Sequence, residues 1–195
     1  RGELTLKELQ DYACQYWHHE SNFPRCISKI HSKCHDLKIR QVLLANLVDE
    51  EEGENNHSEL WLRFAEGLQL TREQVQNSEM KEQTKSLLKG FQDLARESCY
   101  HGIGAIFAYE YQIPNIAVTK IKGLQDFYGI DDDRTIEFFK THIKADEWHS
   151  EALSSILVNT DDEEFKAAKE GAKKGASLLW DFLSGAYEKS SLFSC

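Results

Sequence analysis

The chain has 195 residues, of which 41% are hydrophobic and 29% charged, and its formal net charge is -10. This length fits one domain with its own core, and the composition is that of a globular protein. The negative charge argues against a general nucleic-acid binder, which needs a basic face. No apolar run approaches the roughly 18 residues of a membrane span, and no signal peptide is visible. We therefore expect one domain over residues 1–195 that neither binds nucleic acid nor spans a membrane.

Five cysteines form an odd-numbered set without a C-x-x-C pair: Cys14, Cys26, Cys34, Cys99 and Cys195. This pattern argues against a disulfide or metal-thiolate framework and favours a reducing cytoplasm. Cys14 and Cys99 are expected to be small core residues. The sequence starts at Arg1 and its only methionine is Met80, so we expect the native N-terminus to be missing and the first helix to be truncated.

Helical periodicity runs along the whole chain. Thr5 and Glu8 form a capping box that opens the first helix, and Asp36 can cap the third. Thr71 with Gln74 forms another capping box. In chain order, the predicted helices cover roughly 5–17, 27–34, 36–50, 57–64, 80–97, 102–112, a continuation past the Pro114 kink to Gly129, 134–158 and 161–187.

The fold class that follows is an all-α bundle. The stretch 42–48 is apolar enough to imitate a buried strand, but its flanks are helical. No internal repeat, linker or convincing strand of period two occurs.

Acidic and imidazole side chains stand on helix faces that should be apolar. Residues at i, i+3, i+4 and i+7 share one face. Glu50 lies on the face of Leu43 and Leu47, and His57 begins a face that Trp61 continues. A lone histidine in such a position is usually an ordinary core residue, so His57 alone predicts little.

Polar side chains also occupy expected apolar faces further along the chain. Glu110 follows Ile106 on one stripe, while His142, Asp146 and His149 are spaced i, i+4 and i+7. A buried carboxylate is strongly disfavoured unless it is paired or binds a metal. Glu110 alone could be a salt-bridge partner of Lys120 or Arg96. Three ligand-type side chains on one stripe have few structural uses, so the combined set predicts a metal site.

Three carboxylates and three imidazoles without a thiolate suit iron or manganese, with zinc as an alternative. A single zinc ion would not need six groups. The three carboxylates offset most of the charge of two divalent ions and leave room for a small oxygen-derived anion. We therefore predict a two-metal, oxygen-activating centre.

One geometric difficulty concerns Glu50 and His57, which would be about 10 Å apart along an unbroken helix. They can serve one centre only if they bind different ions or if segment 53–56 distorts the helix. Within the acidic run 49–54, we expect only Glu50 to face inward.

Four segments carry a resemblance to a known family: G-E-L-T-L-K-E-L-Q-D-Y-A at 2–13, D-E-E-E-G-E-N-N-H-S-E-L-W at 49–61, Y-E-Y-Q-I-P-N-I-A at 109–117 and H-I-K-A-D-E-W-H at 142–149. The chain resembles the heme-oxygenase-like di-metal oxidases, within the subgroup around the Chlamydia protein associating with death domains, in the TenA/PqqC superfamily. The likeness extends over nearly the whole chain. It implies a seven-helix heme-oxygenase-like bundle without heme, commonly a homodimer. Its metal ligands fall on the set already selected: Glu50, His57, Glu110, His142, Asp146 and His149.

The resemblance also implies a reaction, the synthesis of p-aminobenzoate for folate. In that reaction an oxygen-activating centre cleaves and aminates one of the protein's own tyrosines. Lys120 matches the proposed amino donor, and Tyr12 and Tyr109 match tyrosines near the metals. The tyrosine that the family consumes lies in a helix before the G-E-L-T segment.

These implications set the cofactors and the alternatives. The expected cofactors are two ions, Fe/Fe or Mn/Fe, with O2 as co-substrate and an external reductant. One alternative is a di-metal oxidase with a diffusible substrate such as a fatty acid or an amino acid. Another is an interaction protein for a host death domain, which would require secretion into a host cell.

Overall fold

The computed structural model describes residues 2–187 and places them in ten α-helices, with no strand in that range. The helices are α1 (Leu6–Glu20), α2 (Phe23–Lys33), α3 (Leu37–Glu51), α4 (His57–Gly67), α5 (Arg72–Gln76), α6 (Glu82–Glu97), α7 (Cys99–Glu110), α8 (Ile113–Tyr128), α9 (Asp133–Leu157) and α10 (Asp162–Tyr187). The predicted all-α fold is confirmed, and the apolar stretch 42–48 lies inside α3. Across residues 2–187, no helix is both long and apolar enough to cross a bilayer.

Several helix starts are determined by local sequence. Thr5 and Glu8 form the predicted capping box at α1, in which the Glu8 backbone N–H donates to the Thr5 hydroxyl at 3.3 Å. Thr71 opens α5 in the same way, and Asp36 caps α3 through the backbone N–H of Lys38 at 2.6 Å. Each such cap contributes about 1 kcal/mol because it satisfies a backbone donor that the helix leaves unpaired.

The described chain has ten helices where the resemblance implies seven. Two-residue breaks separate α1 from α2 and α7 from α8, and α5 has only five residues. Pro114 explains the second break, because its ring clashes with the carbonyl of Glu110 four residues earlier and it has no N–H to donate. With each of those pairs counted as one helix and α5 set aside, seven helices remain.

The break between α3 and α4 is the one that bears on the predicted site. Gly53 adopts a φ of 77°, a left-handed conformation that glycine tolerates best. The Asn56 amide donates to the Gly53 carbonyl at 2.9 Å, and its oxygen accepts from the Glu59 backbone N–H at 2.9 Å. The Asn56 side chain therefore stabilises the turn between α3 and α4, and α4 starts after it at His57.

Helix α7 packs closely on α10 through small residues. A Cβ atom on Gly104 would lie 1.9 Å from the Ala168 carbonyl oxygen, and one on Gly171 would lie 2.0 Å from the His101 carbonyl oxygen. Only glycine fits at either position, since backbone atoms cannot move aside as a flexible side chain can. This close approach fixes the axis of α7, which carries Tyr109 and Glu110.

One cysteine expectation was wrong. Cys34, at the end of α2, and Cys99, at the start of α7, form a disulfide with a Cα–Cα distance of 5.4 Å. They are 65 residues apart, so no local spacing signals the pair. Cys14 is partly buried against the core as predicted, Cys26 is buried and free, and Cys195 lies outside the described residues.

Candidate metal centre

The structure brings the six predicted ligands into the bundle interior from four helices. Each side chain is at most 3% exposed. The residues are Glu50 on α3, His57 on α4, Glu110 on α7, and His142, Asp146 and His149 on α9. The spacing on α9 works as expected, because its three ligands point from one stripe into the core.

Glu50 and His57 meet across the break between α3 and α4. Glu50 Oε2 and His57 Nδ1 are 3.0 Å apart. Neither atom has a hydrogen-bond partner within the described chain, so the two are close without being aligned as donor and acceptor. The two atoms are close enough together that one ion could bind both. The distortion of segment 53–56 therefore removes the difficulty of their distance in sequence.

His142 completes this half of the site. Its Nδ1 is 2.8 Å from the Phe138 carbonyl oxygen, which identifies Nδ1 as the protonated nitrogen and leaves Nε2 free as a donor to a metal. The His142 and His57 rings lie 4.2 Å apart between centroids. Both imidazoles are therefore positioned before any ion binds.

Sequence reasoning missed Glu20, the last residue of α1. Its carboxylate belongs to a group of three possible ligand atoms, with His57 and His142, that all lie within 4.8 Å of one another. A signal was present, because Glu20 continues the buried stripe of Leu9, Ala13 and Tyr16 at helical spacing. That stripe puts a carboxylate where an apolar residue is expected.

Glu110, Asp146 and His149 form the second group of possible ligands within 4.8 Å of one another. His149 Nδ1 is 3.6 Å from Asp146 Oδ1 and 3.9 Å from Glu110 Oε1. The other His149 nitrogen, Nε2, is 2.9 Å from Asp49 Oδ2. This pairing turns Nδ1 toward the two carboxylates.

Two contacts of the site were not predicted from the sequence. Asp49 is exposed, as expected for an acidic run in which only Glu50 faces inward, but its carboxylate still reaches His149 Nε2. Across residues 2–187, Glu110 makes no ion pair with Lys120 or Arg96, the alternative partners considered for it; its Oε1 accepts a 2.7 Å hydrogen bond from the buried Asn46 amide. Asn46 lies one helical turn before Glu50, so α3 contributes to both halves of the site.

The donor atoms themselves show that the residues fit metal ions. Within residues 2–187, Glu20 and five of the six predicted ligands each have one buried side-chain atom without a hydrogen-bond partner. The atoms are Glu20 Oε1, Glu50 Oε2, His57 Nδ1, Glu110 Oε2, Asp146 Oδ2 and His149 Nδ1. Leaving one such atom unpaired costs about 1–3 kcal/mol, and more for a charged group. Bound cations would satisfy all of them at once, and oxygen and nitrogen donors of this kind suit iron and manganese.

The pKa values reflect a concentrated negative charge. Burial raises the pKa of Glu110 to about 8, and the nearby Asp146 carboxylate acts in the same direction. Burial likewise raises the pKa of Asp146 to about 6. Burial lowers the pKa of His57, but Glu50 more than offsets this and the pKa rises to about 9. Without cations, the site must therefore hold protons in their place.

The predicted catalytic residues fall into two separate places. Lys120 Nζ donates to the Tyr12 hydroxyl at 2.7 Å and lies 5.0 Å from the centre of the Tyr12 ring. Tyr109 is not part of this pair. Its hydroxyl hydrogen-bonds that of Tyr16, and both rings are buried beside the metal centre.

Lys120 and Tyr12 line a cavity of about 420 Å³. Apolar and aromatic side chains form most of its wall, among them Phe64, Phe139 and Leu183. The cavity lies close to the metal centre. Phe139 in its wall contacts the Phe138 ring, and Phe138 packs against His142 with 4.0 Å between ring centroids. The cavity is large enough for an aromatic ring and presents one amine to it.

The chain is similar in sequence to two proteins named 4-aminobenzoate synthase. The chain is 35% identical over 196 residues to a 4-aminobenzoate synthase of Chlamydia pneumoniae, covering 100% of this chain and 87% of that protein. It is 36% identical to a 4-aminobenzoate synthase of Nitrosomonas europaea, covering 96% and 81%.

A domain with a heme oxygenase-like fold from Shewanella denitrificans superimposes with a TM-score of 0.82 at 18% identity, covering 98% of this chain and 82% of the domain. The expected fold is thereby confirmed. The sequence profile of a family described as iron-containing redox enzymes matches residues 10–182. The chain belongs to this family of iron-containing redox enzymes.

Proposed function

We propose that the protein is a non-heme di-metal oxidase that forms 4-aminobenzoate from a tyrosine of the protein and the side-chain nitrogen of Lys120. The observation that carries this proposal is the buried set of unpartnered carboxylate and imidazole atoms, which bound cations would satisfy together. The name shared by the Chlamydia and Nitrosomonas relatives supports the choice of product.

The metal ligands in this proposal are Glu50, His57, Glu110, His142, Asp146 and His149. Two ions held there, iron with iron or manganese with iron, would supply oxygen activation with electrons from an external reductant. The protein holds the ligands rigid through partners outside the set. Asn46 fixes the Glu110 carboxylate, Asp49 fixes the His149 ring and the Phe138 carbonyl fixes the His142 ring.

The cavity beside Lys120 is the proposed place of amination. Its wall is mostly apolar, as suits a phenol ring, and Lys120 supplies the only side-chain amine among the described residues that line it. Tyr12 accepts a hydrogen bond from Lys120 Nζ and so fixes the amine.

Isotope labelling tests the proposal. Metal-loaded full-length protein that carries 15N in its lysine side chains is incubated with O2 and a reductant, and released 4-aminobenzoate is analysed by mass spectrometry. We expect a product that is one mass unit heavier. Lys120→Arg should abolish it, whereas Lys122→Arg, on the exposed face of the same helix, should not. Unlabelled product, or no product from fully loaded protein, would overturn the proposal.

A second candidate keeps the oxidase but gives it a diffusible substrate. The observation that favours it is the size and apolar wall of the cavity, which would also accept a chain-like or aromatic small molecule. The two functions differ in stoichiometry. A diffusible substrate allows many turnovers with the mass of the protein unchanged, whereas consumption of the Lys120 nitrogen ends after one turnover and changes that mass.

A further inference from the structure

We propose that Glu20 is a seventh protein ligand of the metal centre, on the ion held by His57 and His142, and that it couples helix α1 to metal loading. This inference rests on the di-metal centre of the proposed function. It adds a fourth carboxylate and a fifth helix to that centre. It also connects the ions to the helix that carries Tyr12.

The first argument is burial without a partner. Glu20 is 1% exposed, and its Oε1 has no hydrogen-bond partner in residues 2–187. A buried carboxylate in this condition is strongly destabilising unless a cation binds it. Since glutamate at the end of a helix can normally turn into solvent, its inward position needs a compensating interaction.

The second argument is position. Glu20, His57 and His142 each contribute one possible ligand atom, and all three atoms lie within 4.8 Å of one another. The group formed by Glu110, Asp146 and His149 meets the same criterion. The interior therefore contains two triads of donors, and Glu20 occupies in the first the place that Glu110 occupies in the second.

The third argument is charge. With Glu20, the centre contains four buried carboxylates: Glu20, Glu50, Glu110 and Asp146. Their four negative charges equal the four positive charges of two divalent ions, whereas three carboxylates would leave one positive charge in excess. A neutral group is the least costly one to bury in a medium of low dielectric constant.

The link to α1 follows from helical spacing. Glu20 ends α1, and Tyr16 and Tyr12 lie one and two turns before it on the same face. Tyr12 accepts the hydrogen bond of Lys120, and Tyr16 hydrogen-bonds Tyr109. An ion bound by Glu20 would hold the end of α1 against α4 and α9. It would thereby fix the two tyrosines that position Lys120 and Tyr109.

The test uses the full chain and two readouts that do not depend on activity. Binding of Mn²⁺ and Fe²⁺ is measured by competition with a chelator, and amide hydrogen exchange is followed in α1 with and without metal. We expect Glu20→Gln to weaken one of the two ions by about tenfold or more, at least the loss seen when a supporting partner is removed. Metal should protect the last turn of α1 in the wild type and not in the variant.

Asp11→Asn is the matched control, because it also removes one negative charge from α1. In the wild type, Asp11 pairs with Lys81 near the surface and is not part of the metal centre. It should bind both ions with wild-type affinity. Glu20→Gln removes an unpaired buried charge, so the metal-free variant should unfold no more easily than the wild type. If it nevertheless misfolds, Glu20→Asp keeps the charge on a shorter side chain and should show an intermediate loss of affinity.

Wild-type affinity for both ions together with unchanged protection of α1 in Glu20→Gln would overturn the proposal. The parallel variant Glu110→Gln separates this failure from that of the centre itself. If Glu110→Gln loses metal while Glu20→Gln does not, the di-metal centre stands and only the role of Glu20 is refuted. If neither variant loses metal, both proposals are refuted.

Discussion

The carboxylate of Asp49 lies 2.9 Å from Nε2 of His149, and the two residues are 100 positions apart in sequence. The His149 side chain is fully buried, whereas that of Asp49 is 51% exposed. The contact assigns the proton of the imidazole to Nε2 and leaves Nδ1 facing Asp146 and Glu110. A carboxylate at the rim of the bundle thus sets the direction of a ligand in its interior.

This contact predicts that Asp49→Ala weakens metal binding although Asp49 does not touch the ions. Loss of such a partner typically lowers metal affinity by about 10–100-fold, because the imidazole is free to rotate and is a poorer donor. The measurement is chelator competition with Mn²⁺. Glu51→Ala, two residues away and exposed, is the control and should bind as the wild type does. Equal affinities for the two variants would contradict the prediction.

Metal binding should release protons and become tighter as the pH rises. The pKa is about 8 for Glu110 and about 9 for His57 and His149, so all three hold a proton at pH 7 in the metal-free protein. Ligands must lose these protons before they bind an ion. Titration calorimetry in two buffers of different ionisation enthalpy gives the number released, which we expect to reach up to three. An affinity that stays constant between pH 6 and pH 9 would rule this out.

Removing the hydroxyl of Tyr12 should slow the reaction without unfolding the protein. Tyr12→Phe leaves the ring in place but removes the acceptor of the Lys120 hydrogen bond. A hydrogen bond to a charged group contributes about 1.5–3 kcal/mol, so we expect a decrease of roughly tenfold or more in the rate of 4-aminobenzoate formation.

Tyr128→Phe is the control for this variant. Tyr128 also lines the cavity, but its hydroxyl donates to the Leu4 carbonyl at 2.8 Å. Its rate should stay near that of the wild type, while the metal content of both variants stays unchanged. Equal rates for the two variants would show that the Lys120 contact has no part in the reaction.

Local patterns predicted most of the helices and six of the buried polar residues. The capping box at Thr5 and the i, i+4, i+7 spacing of His142, Asp146 and His149 act within one helix, so a sequence displays them directly. Glu50 and His57 were selected for the same reason. Their approach to 3.0 Å was not predictable, because it depends on how the turn at Gly53 redirects α4.

The residues that were missed act between helices. Asn46 reaches Glu110 across 64 positions and Asp49 reaches His149 across 100, and neither pairing leaves a periodic trace in the sequence. Glu20 is different, because its helical spacing from the buried Tyr16 already predicts that its carboxylate faces the core. The two histidines that precede it point in different directions: the partly buried His18 ring contacts the Ser78 carbonyl, whereas His19 is buried in the core.

The disulfide offers a test of the fold. Cys34–Cys99 closes a loop of 65 residues, and a crosslink of that span stabilises a protein by about 4 kcal/mol in the chain-entropy description. The Cys34→Ser, Cys99→Ser double variant should therefore unfold at a lower urea concentration than the oxidised wild type. Adding dithiothreitol should bring the wild type close to the variant. A wild type that is insensitive to reductant would mean that the two thiols are not joined.

The central claim is that the buried carboxylates and imidazoles hold two metal ions, and metal analysis of protein purified with iron and manganese supplementation tests it most directly. We predict about two ions per chain in the wild type and in Glu151→Ala, whose carboxylate is exposed on α9, and a large loss in Glu110→Ala. Fewer than about 0.5 ions per chain in the wild type, with no further loss in Glu110→Ala, would contradict the assignment of the site.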